Sequence, residues 1–362
     1  MLNTLTPIGS ALRIPETLDE DQSYFRADKP KHLADAIDYY KTHGYVVMRG
    51  LISRELCVKV RSVFDASVRG TKLPMLRQKN MRYERNTFDA NGFVDNPIFN
   101  LQDIGSGQLA TFRNAVLDVL THKVGALATA ALLGCDKSMM IQSMFFEAPA
   151  GTWAHQDSYY QDSASGLGQC VAGWFALEDI DAGSGRLYIC PGSHRVVPVL
   201  RNEREYNFAT GHAAYQRAVL AMIRLYGLSF TAPYLAAGDV LFWNSLTIHG
   251  SLPASRVGVS RASLTAHYLR DGDAMLQFHS RIRGQATMTY NGMRIGLLHD
   301  QDRLFNRIVR TVAFRMPRPY MTARTLALRG LLAKQSLQRV IAGLRGAEMV
   351  QQPPSVTPKG SV

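Results

Sequence analysis

The chain has 362 residues and a net charge of +12, and hydrophobic residues make up 46% of it, which excludes an intrinsically disordered polymer. This length allows about two domains, or one large β domain with additional helices. The four widely spaced cysteines exclude a disulfide scaffold and a zinc ribbon, and because no secretory leader or apolar run of ~20 residues is visible, we expect a cytoplasmic protein.

Helical patterns dominate residues 1–138. Apolar residues recur every three or four positions in three segments, and one short apolar run between them predicts a strand. Ser53 is the expected N-cap of the second helix. The predicted helices are residues 31–44, 53–68 and 111–133, and the predicted strand is residues 45–48.

From residue 139 the chain changes to short apolar runs separated by Gly and Pro. This pattern is typical of a β-sandwich or barrel. The predicted strands are residues 139–146, 171–177, 186–190, 239–243, 246–249 and 260–269. The sequence predicts a helical insertion at residues 195–226. Its arginines either favour an anionic substrate or form a charged surface; they are Arg201, Arg204, Arg217 and Arg224.

The chain has helical periodicity again from residue 301 onward. Between Arg303 and Arg345 there are ten basic side chains and no acid, opposite an apolar stripe. Such a basic amphipathic helix favours an anionic partner or a membrane surface, although the stripe of such a helix more often packs on its own domain. We expect residues 351–362 to form a disordered tail.

His155 and Asp157 are two residues apart. On an extended segment, side chains at this spacing point to the same side, so an imidazole and a carboxylate would converge. They supply two of the three protein ligands in the two-histidine, one-carboxylate site of non-heme iron oxygenases. The H-x-D pattern alone is a weak signal. His249, which ends a predicted strand, is the strongest candidate for the third ligand, with a buried structural histidine as the alternative.

Arg261 begins a segment in which polar and apolar residues alternate. Ser263, Thr265 and His267 share its face, and a polar strand face of this kind indicates a ligand-lined barrel interior. The planar fork of arginine can bind a carboxylate through two hydrogen bonds. A surface ion pair is the alternative role for Arg261.

Five segments of the chain occur in an order that resembles one protein family. They are His155-Gln156-Asp157, residues 171–177 around Trp174, residues 185–194, residues 237–243, and His249-Gly250-Ser251 followed by Arg261. Together they are similar to the phytanoyl-CoA dioxygenase family of Fe(II)/2-oxoglutarate oxygenases. The resemblance extends over residues 140–270, with a weaker match in the N-terminal helices.

The resemblance implies a mainly β core, a double-stranded β-helix (a jelly roll of the cupin type), flanked by N- and C-terminal helices. It implies that His155, Asp157 and His249 bind Fe(II), with 2-oxoglutarate and O₂ as co-substrates. Arg261 would hold the distal carboxylate of 2-oxoglutarate, with Ser251 beside it.

Three further residues enter through the resemblance. Trp174 and Gln142 stand at positions where family members line the co-substrate pocket, with core packing as the alternative role. The family's arginine often lies one residue nearer the distal histidine, where Ser260 stands in this chain. Arg256 is therefore a rival anchor for 2-oxoglutarate.

The resemblance also implies an activity. We expect hydroxylation of an unactivated C–H bond in a small, anionic or acyl-type molecule, with 2-oxoglutarate decarboxylated to succinate and CO₂. Because Asp157 is present, the iron position that chloride takes in related halogenases is filled. The alternatives are a nucleic-acid demethylase of the same superfamily, favoured only by the net charge, and a non-catalytic metal-binding relative. We expect no specific nucleic-acid partner.

The expected domain organisation follows the same division of the chain. We expect residues 1–350 to form a single oxygenase domain. Its parts would be a helical region over residues 1–138, a β core over 139–270 with the insertion 195–226, and a C-terminal extension over 271–350 with the basic amphipathic helix.

Overall fold

The computed structural model describes most of the chain: residues 12–13, 24–26, 29–196, 212–278 and 281–327, with five single positions up to Leu337. The chain divides into two compact units after Arg315. In the second unit, residues 317–327 are helical. The predicted apolar stripe of the basic helix, which begins at residue 328, and the whole 351–362 tail lie outside the described residues. The predicted extent of the oxygenase domain stays a prediction.

The helices begin and end close to the predicted signals. They are α1 (Pro30–His43), α2 (Arg54–Val63), α3 (Ala110–Leu120), α4 (Lys123–Leu133), α5 (His212–Leu225) and α6 (Leu304–Arg315). Ser53 Oγ accepts a hydrogen bond from the Leu56 N–H, which confirms the predicted N-cap of α2. Gly44 ends α1 with a φ of 78°, a conformation that favours glycine. A π-helical turn, Phe64–Val68, continues α2 to the predicted end.

The prediction of one helix over residues 111–133 was wrong. Helices α3 and α4 are separate and bent by 51°. Thr121 leaves the helical conformation, with a φ of −110°, and its hydroxyl donates to the Leu117 carbonyl at 2.7 Å. A threonine side chain that bonds its own backbone in this way competes with the helix. Among the described residues no single helix is long and apolar enough to cross a bilayer, and α3 and α4 meet that test only jointly.

The described residues form nineteen strands. In chain order they are β1 (Leu12–Arg13), β2 (Tyr24–Arg26), β3 (Tyr45–Arg49), β4 (Met75–Leu76), β5 (Tyr83–Glu84), β6 (Ile98–Phe99), β7 (Ser138–Phe146), β8 (Thr152–His155), β9 (Gln161–Ser163), β10 (Val171–Ala176), β11 (Leu187–Ile189), β12 (Phe230–Thr231), β13 (Val240–Asn244), β14 (His249–Ser251), β15 (Ser263–Arg270), β16 (Met275–Gln277), β17 (Arg281–Arg283), β18 (Ala286–Tyr290) and β19 (Met293–Leu297).

Two sheets carry the architecture. The larger has the order β18-β19-β7-β15-β10-β13-β3-β2, with β6 also paired to β7. The smaller has the order β1-β12-β11-β14-β8. Side chains of the larger sheet, such as Trp174 and Trp243, pack in one cluster with Leu187 and Ile189 of the smaller sheet. The opposite face of the larger sheet packs on α2, α3 and α4. The strand β10 is buried throughout because both of its faces are covered.

Most predicted strands are confirmed to within one residue at each end, and two begin three residues later than predicted. The strand predicted at residues 246–249 instead begins at His249, because Asn244 stabilises a turn before it. The Asn244 carbonyl accepts from the Thr247 N–H at 2.8 Å, and its Oδ1 accepts from the Leu246 N–H at 2.9 Å. The last core strand begins at Ser263, so Arg261 lies just before it.

Sequence reasoning missed the strands β16 to β19, which fall in the predicted C-terminal extension. Strands β18 and β19 form a hairpin on the edge of the larger sheet. Their two-residue loop is Asn291-Gly292, and both residues have positive φ values, 48° and 78°. An Asn-Gly pair between apolar runs is a strong hairpin signal, so this pair could have been predicted.

Candidate metal centre

His155 and His249 lie directly opposite each other on the neighbouring strands β8 and β14. Their ring centroids are 4.4 Å apart. Each Nδ1 is hydrogen-bonded to the backbone carbonyl two residues earlier, that of Trp153 at 2.9 Å and that of Thr247 at 3.0 Å. A carbonyl can only accept, so Nδ1 carries the proton in both rings. Both Nε2 lone pairs are therefore available to a metal ion.

Asp157 presents one carboxylate oxygen to the two histidines. Its Oδ1 lies 3.6 Å from each Nε2 of His155 and His249. Its Oδ2 accepts hydrogen bonds from Trp243 Nε1 at 2.8 Å and from His267 Nε2 at 3.1 Å. The ligand atoms of His155, Asp157 and His249 all lie within 4.8 Å of one another. The structure therefore brings together all three predicted metal ligands.

The protonation states of His249 and Asp157 suit a divalent metal ion. Burial lowers the pKa of His249 to about 4, so its imidazole is neutral near pH 7. Burial alone would raise the pKa of Asp157, but the adjacent His249 and His267 hold that pKa well below its usual range. Two neutral imidazoles and one carboxylate are the donor set of non-heme Fe(II) sites that leave positions open for other ligands. The residues present thus fit such an ion.

The residue between the two ligands is held from both sides. The backbone N–H of Gln156 donates to Tyr215 Oη on α5 at 2.9 Å, and its side-chain Nε2 donates to the Leu246 carbonyl at 2.7 Å. Tyr215 is buried and its ring stacks on that of Tyr159, with centroids 3.7 Å apart. Helix α5 therefore supports the metal-binding loop.

The helical insertion was predicted to carry substrate-binding arginines. Arg217 and Arg224 are exposed on α5. Arg201 and Arg204 lie outside the described residues. An anionic substrate at these arginines stays a prediction.

Arg261 is a buried cation. Its Nη1 donates to the carbonyls of Gly185 and, at 3.2 Å, Leu252, and its Nη2 donates to the Ala150 carbonyl at 2.9 Å. Its Nε has no partner and no carboxylate pairs with it among the residues that the structure describes. Burial lowers its pKa to about 10, so it remains charged at pH 7. A buried charge without a counter-ion is costly, and an anionic ligand would neutralise it.

Two of the other expected 2-oxoglutarate-binding residues lie near Arg261. Ser251 Oγ donates to the same Ala150 carbonyl at 3.2 Å. The Trp174 ring centroid is 5.9 Å from the Arg261 guanidinium carbon. Gln142 is buried and pairs in register with His267, the residue that binds Oδ2 of Asp157. Their roles in binding 2-oxoglutarate stay predictions.

The rival arginine lies elsewhere. The Arg256 side chain is 57% exposed and its Nη2 lies 2.6 Å from Oδ2 of Asp181. Ser260, at the position where the family often has arginine, donates to Glu178 Oε1 at 2.7 Å. This geometry favours Arg261 as the anchor.

Sequence reasoning missed Trp243 and Tyr215, and predicted for His267 only a place on the polar face that it shares with Arg261. Trp243 and His267 are the cross-strand partners of Ala172, one on each side of β10. Because Ala172 is small, both larger side chains can extend over it to one oxygen of Asp157. The signal was the alternation along β13 and β15, which puts Trp243 and His267 on the inner face.

Comparisons with known proteins agree with this site. Residues 40–258 match the family model described as Phytanoyl-CoA dioxygenase (PhyH). No curated protein sequence matches the chain.

Two solved structures from nogalamycin biosynthesis match the chain, and the first of them, SnoN, is similar in fold. The non-heme alpha ketoglutarate dependent epimerase SnoN has 16% identity and a TM-score of 0.50, over 76% of this chain and 98% of SnoN. The carbocyclase SnoK has 16% identity and a TM-score of 0.48, over 66% of this chain and 85% of SnoK. The family match extends over more than half of the chain. The chain therefore belongs to the phytanoyl-CoA dioxygenase family, and its cofactors are Fe(II), 2-oxoglutarate and O₂.

Proposed function

We propose that this chain is an Fe(II)/2-oxoglutarate-dependent dioxygenase that hydroxylates an unactivated C–H bond of a small, anionic or acyl-type molecule. The observation that carries the proposal is the convergence of His155 Nε2, His249 Nε2 and Asp157 Oδ1, with the other polar atom of each side chain already hydrogen-bonded. When bound, the iron, 2-oxoglutarate and O₂ supply the oxidising power, and 2-oxoglutarate leaves as succinate and CO₂. The two facing sheets are, in this proposal, a double-stranded β-helix.

The residues around Arg261 give the co-substrate its orientation. Arg261 pairs with the distal carboxylate of 2-oxoglutarate, because it is a buried cation with no carboxylate partner among the described residues. Ser251, which shares the Ala150 carbonyl with Arg261, supplies a second donor. Trp174 covers the guanidinium, and Gln142 offers an amide from the neighbouring strand.

The first test is turnover of 2-oxoglutarate by the purified chain. With Fe(II), ascorbate and O₂, the wild type should form succinate from 2-oxoglutarate, slowly even without substrate. His155→Ala should abolish this, whereas Arg256→Gln, an exposed arginine outside the site, should not change it. Undiminished succinate formation by His155→Ala would contradict the metal-ligand assignment.

The second test identifies the outcome for the substrate. A panel of carboxylic acids and acyl thioesters should include a compound that accelerates succinate formation. With ¹⁸O₂, the product should gain one labelled oxygen atom. SnoN, which is similar in fold, is named as an epimerase, so oxidation without gain of oxygen is the alternative outcome. A product without the label would contradict hydroxylation but keep the cofactor chemistry.

The alternative functions have less support. A nucleic-acid demethylase is favoured only by the +12 charge, and binding that disappears at physiological salt would argue against it. A non-catalytic relative would be expected to lose a metal ligand, whereas all three ligand atoms converge in this chain. Failure of the chain to bind Fe(II) would favour that relative.

We also propose a cytoplasmic location and peripheral contact with anionic membranes through the basic C-terminal helix. The four cysteines are all free, as is typical of a reducing compartment. The ten basic residues between Arg303 and Arg345 supply the charge for membrane contact. Cosedimentation with phosphatidylserine vesicles, compared with phosphatidylcholine vesicles, tests the membrane contact.

A further inference from the structure

Helix α6 packs on the rest of the first compact unit by one side and leaves its other side exposed. Ala313, on the inner side, is buried, and the helix contacts β5. Four large apolar side chains lie on the outer side, which we call the α6 face. They are Leu304 (65% exposed), Phe305 (73%), Ile308 (53%) and Val312 (44%).

The side chains of the α6 face form one patch. The last three stand one, four and eight positions after Leu304, so all four lie within about 100° of arc around the helix. Their exposed fractions show that no described residue covers the patch. Single exposed apolar residues are normal at a protein surface, whereas an adjoining set of them marks a surface that contacts an apolar partner.

Arginine side chains border the α6 face. The helix contains three arginines and no acidic residue. Arg307 and Arg315 are exposed, and neither pairs with a carboxylate in the described part of the chain. The two acids that precede the helix are already in ion pairs, Asp300 with Arg303 at 3.4 Å and Asp302 with Arg113 at 3.1 Å. The charge available beside the face is therefore positive.

The β4–β5 hairpin adds cations on the side of Arg307. The Arg85 guanidinium carbon is 5.4 Å from the ring centroid of Phe314, which stands seven positions after Arg307. Residues about two helical turns apart share a side of the helix, so the hairpin adjoins the basic border of the α6 face. The loop of the hairpin also exposes Lys79 and Arg82.

An apolar patch beside unpaired cations fits the surface of an anionic bilayer. At such a surface, apolar side chains enter the boundary between headgroups and acyl chains, while arginines stay at the headgroup phosphates. A second copy of this chain is a poorer fit. Pairing the α6 face with itself would bring the arginines of both copies close together, and like charges repel.

We propose that the α6 face enters the surface of an anionic membrane. Leu304, Phe305 and Ile308 insert between the lipids, and Arg307 and the hairpin cations bind the lipid phosphates. This inference rests on the membrane contact proposed above. It adds the inserted element, which belongs to the first compact unit and precedes the apolar stripe predicted from residue 328 onward.

The experiment measures cosedimentation of the full-length chain with phosphatidylcholine vesicles that contain or lack phosphatidylserine. Wild type should bind the phosphatidylserine vesicles about ten-fold more tightly, and added salt should weaken that binding. Phe305→Ser should reduce the affinity for these vesicles about ten-fold, because it removes apolar surface and changes no charge. Leu127→Ser, which changes an exposed residue of α4, is the matched control and should bind like the wild type.

A second measurement detects insertion directly. Phe305→Trp places an indole on the α6 face, and lipids with brominated acyl chains should quench the fluorescence that this indole adds. The fluorescence that Leu127→Trp adds should not be quenched. Ile308→Ser serves in place of Phe305→Ser if that variant does not fold.

Four results would overturn the inference. Equal vesicle affinity of Phe305→Ser and wild type would keep the membrane contact and remove the α6 face from it. Equal affinity of the wild type for the two kinds of vesicle would contradict the role of the cations. Absence of binding to phosphatidylserine vesicles would contradict the membrane contact as well. A dimer without lipid that Phe305→Ser converts to a monomer, measured by sedimentation velocity, would assign the face to a second copy.

Discussion

The indole N–H of Trp243 donates a hydrogen bond of 2.8 Å to Oδ2 of Asp157, while Oδ1 of the same carboxylate faces His155 and His249. This contact joins a strand of the larger sheet to the loop that follows β8 of the smaller sheet. It leaves one oxygen of Asp157 available to the metal. Partners of this kind orient metal ligands, and their loss usually weakens metal binding.

We expect Trp243→Phe to weaken Fe(II) binding about ten-fold or more, because Phe keeps an aromatic ring and removes the donor. Anaerobic calorimetry with Fe(II), or absorption with Co(II), measures the affinity. Leu241→Met changes a buried apolar residue of the same strand that cannot hydrogen-bond to Asp157, so this control should bind metal like the wild type. Equal affinities in Trp243→Phe and wild type would contradict an orienting role for Trp243.

Tyr215 gives a second prediction about the metal-binding loop. Tyr215→Phe removes the acceptor of the Gln156 N–H, so the free energy of unfolding should fall by about 1–2 kcal/mol and Fe(II) affinity should fall with it. Tyr188 is a matched control in the same apolar cluster, since its hydroxyl donates to the Thr152 carbonyl and not to Gln156.

Tyr188→Phe should therefore lose stability and keep its metal affinity. Chemical denaturation and metal titration of both variants separate the two effects. A similar loss of metal affinity in both would mean that the fall follows from general destabilisation rather than from the Gln156 contact.

The buried carboxyl of Asp103 predicts a pH dependence of stability. Burial raises the pKa of Asp103 to about 7, although hydrogen bonds from His299 and Leu298 lower it in part. In the unfolded chain it ionises near pH ~3.9. Between these two pKa values the folded chain binds more protons than the unfolded chain, so stability falls as the pH rises. The stabilisation from the protonated carboxyl is therefore complete below the unfolded pKa and is lost as the pH rises through the folded pKa.

Asp103→Asn removes this titration. Between about pH 5 and pH 8, the free energy of unfolding of the wild type should fall by ~2 kcal/mol relative to that of the variant. Urea denaturation of the metal-free proteins at several pH values measures the difference. A difference that stays constant with pH would contradict the raised pKa.

Local sequence patterns, together with the resemblance to a family, predicted the candidate metal ligands and the candidate anchor. His155 and Asp157 stand two apart on an extended segment, and His249 and Arg261 follow at spacings that resemble a family. Each signal is a short motif, and the order of the motifs along the chain is visible in the sequence, so they could be found without knowing which strands are neighbours. The N-cap at Ser53 and the end of α1 at Gly44 were predictable for the same reason.

The support of the site depends on contacts between distant parts of the chain. Trp243 and His267 meet at Asp157 only because β13 and β15 both pair with β10 around Ala172. Tyr215 reaches Gln156 from an insertion 59 residues later in the chain. Strand order and the packing of an inserted helix are properties of the whole fold, and no local pattern specifies them.

The central claim is that Fe(II) and 2-oxoglutarate bind together at His155, Asp157 and His249, with Arg261 as the anchor. The most direct measurement adds Fe(II) and then 2-oxoglutarate without O₂, and follows the visible charge-transfer band of the chelate. We expect a band in the wild type and in Arg256→Ala. Arg261→Ala, or Arg261→Lys if the alanine variant does not fold, should require about ten-fold more 2-oxoglutarate. Absence of the band in the wild type with iron bound, or an unchanged 2-oxoglutarate requirement in the folded Arg261 variant, would contradict it.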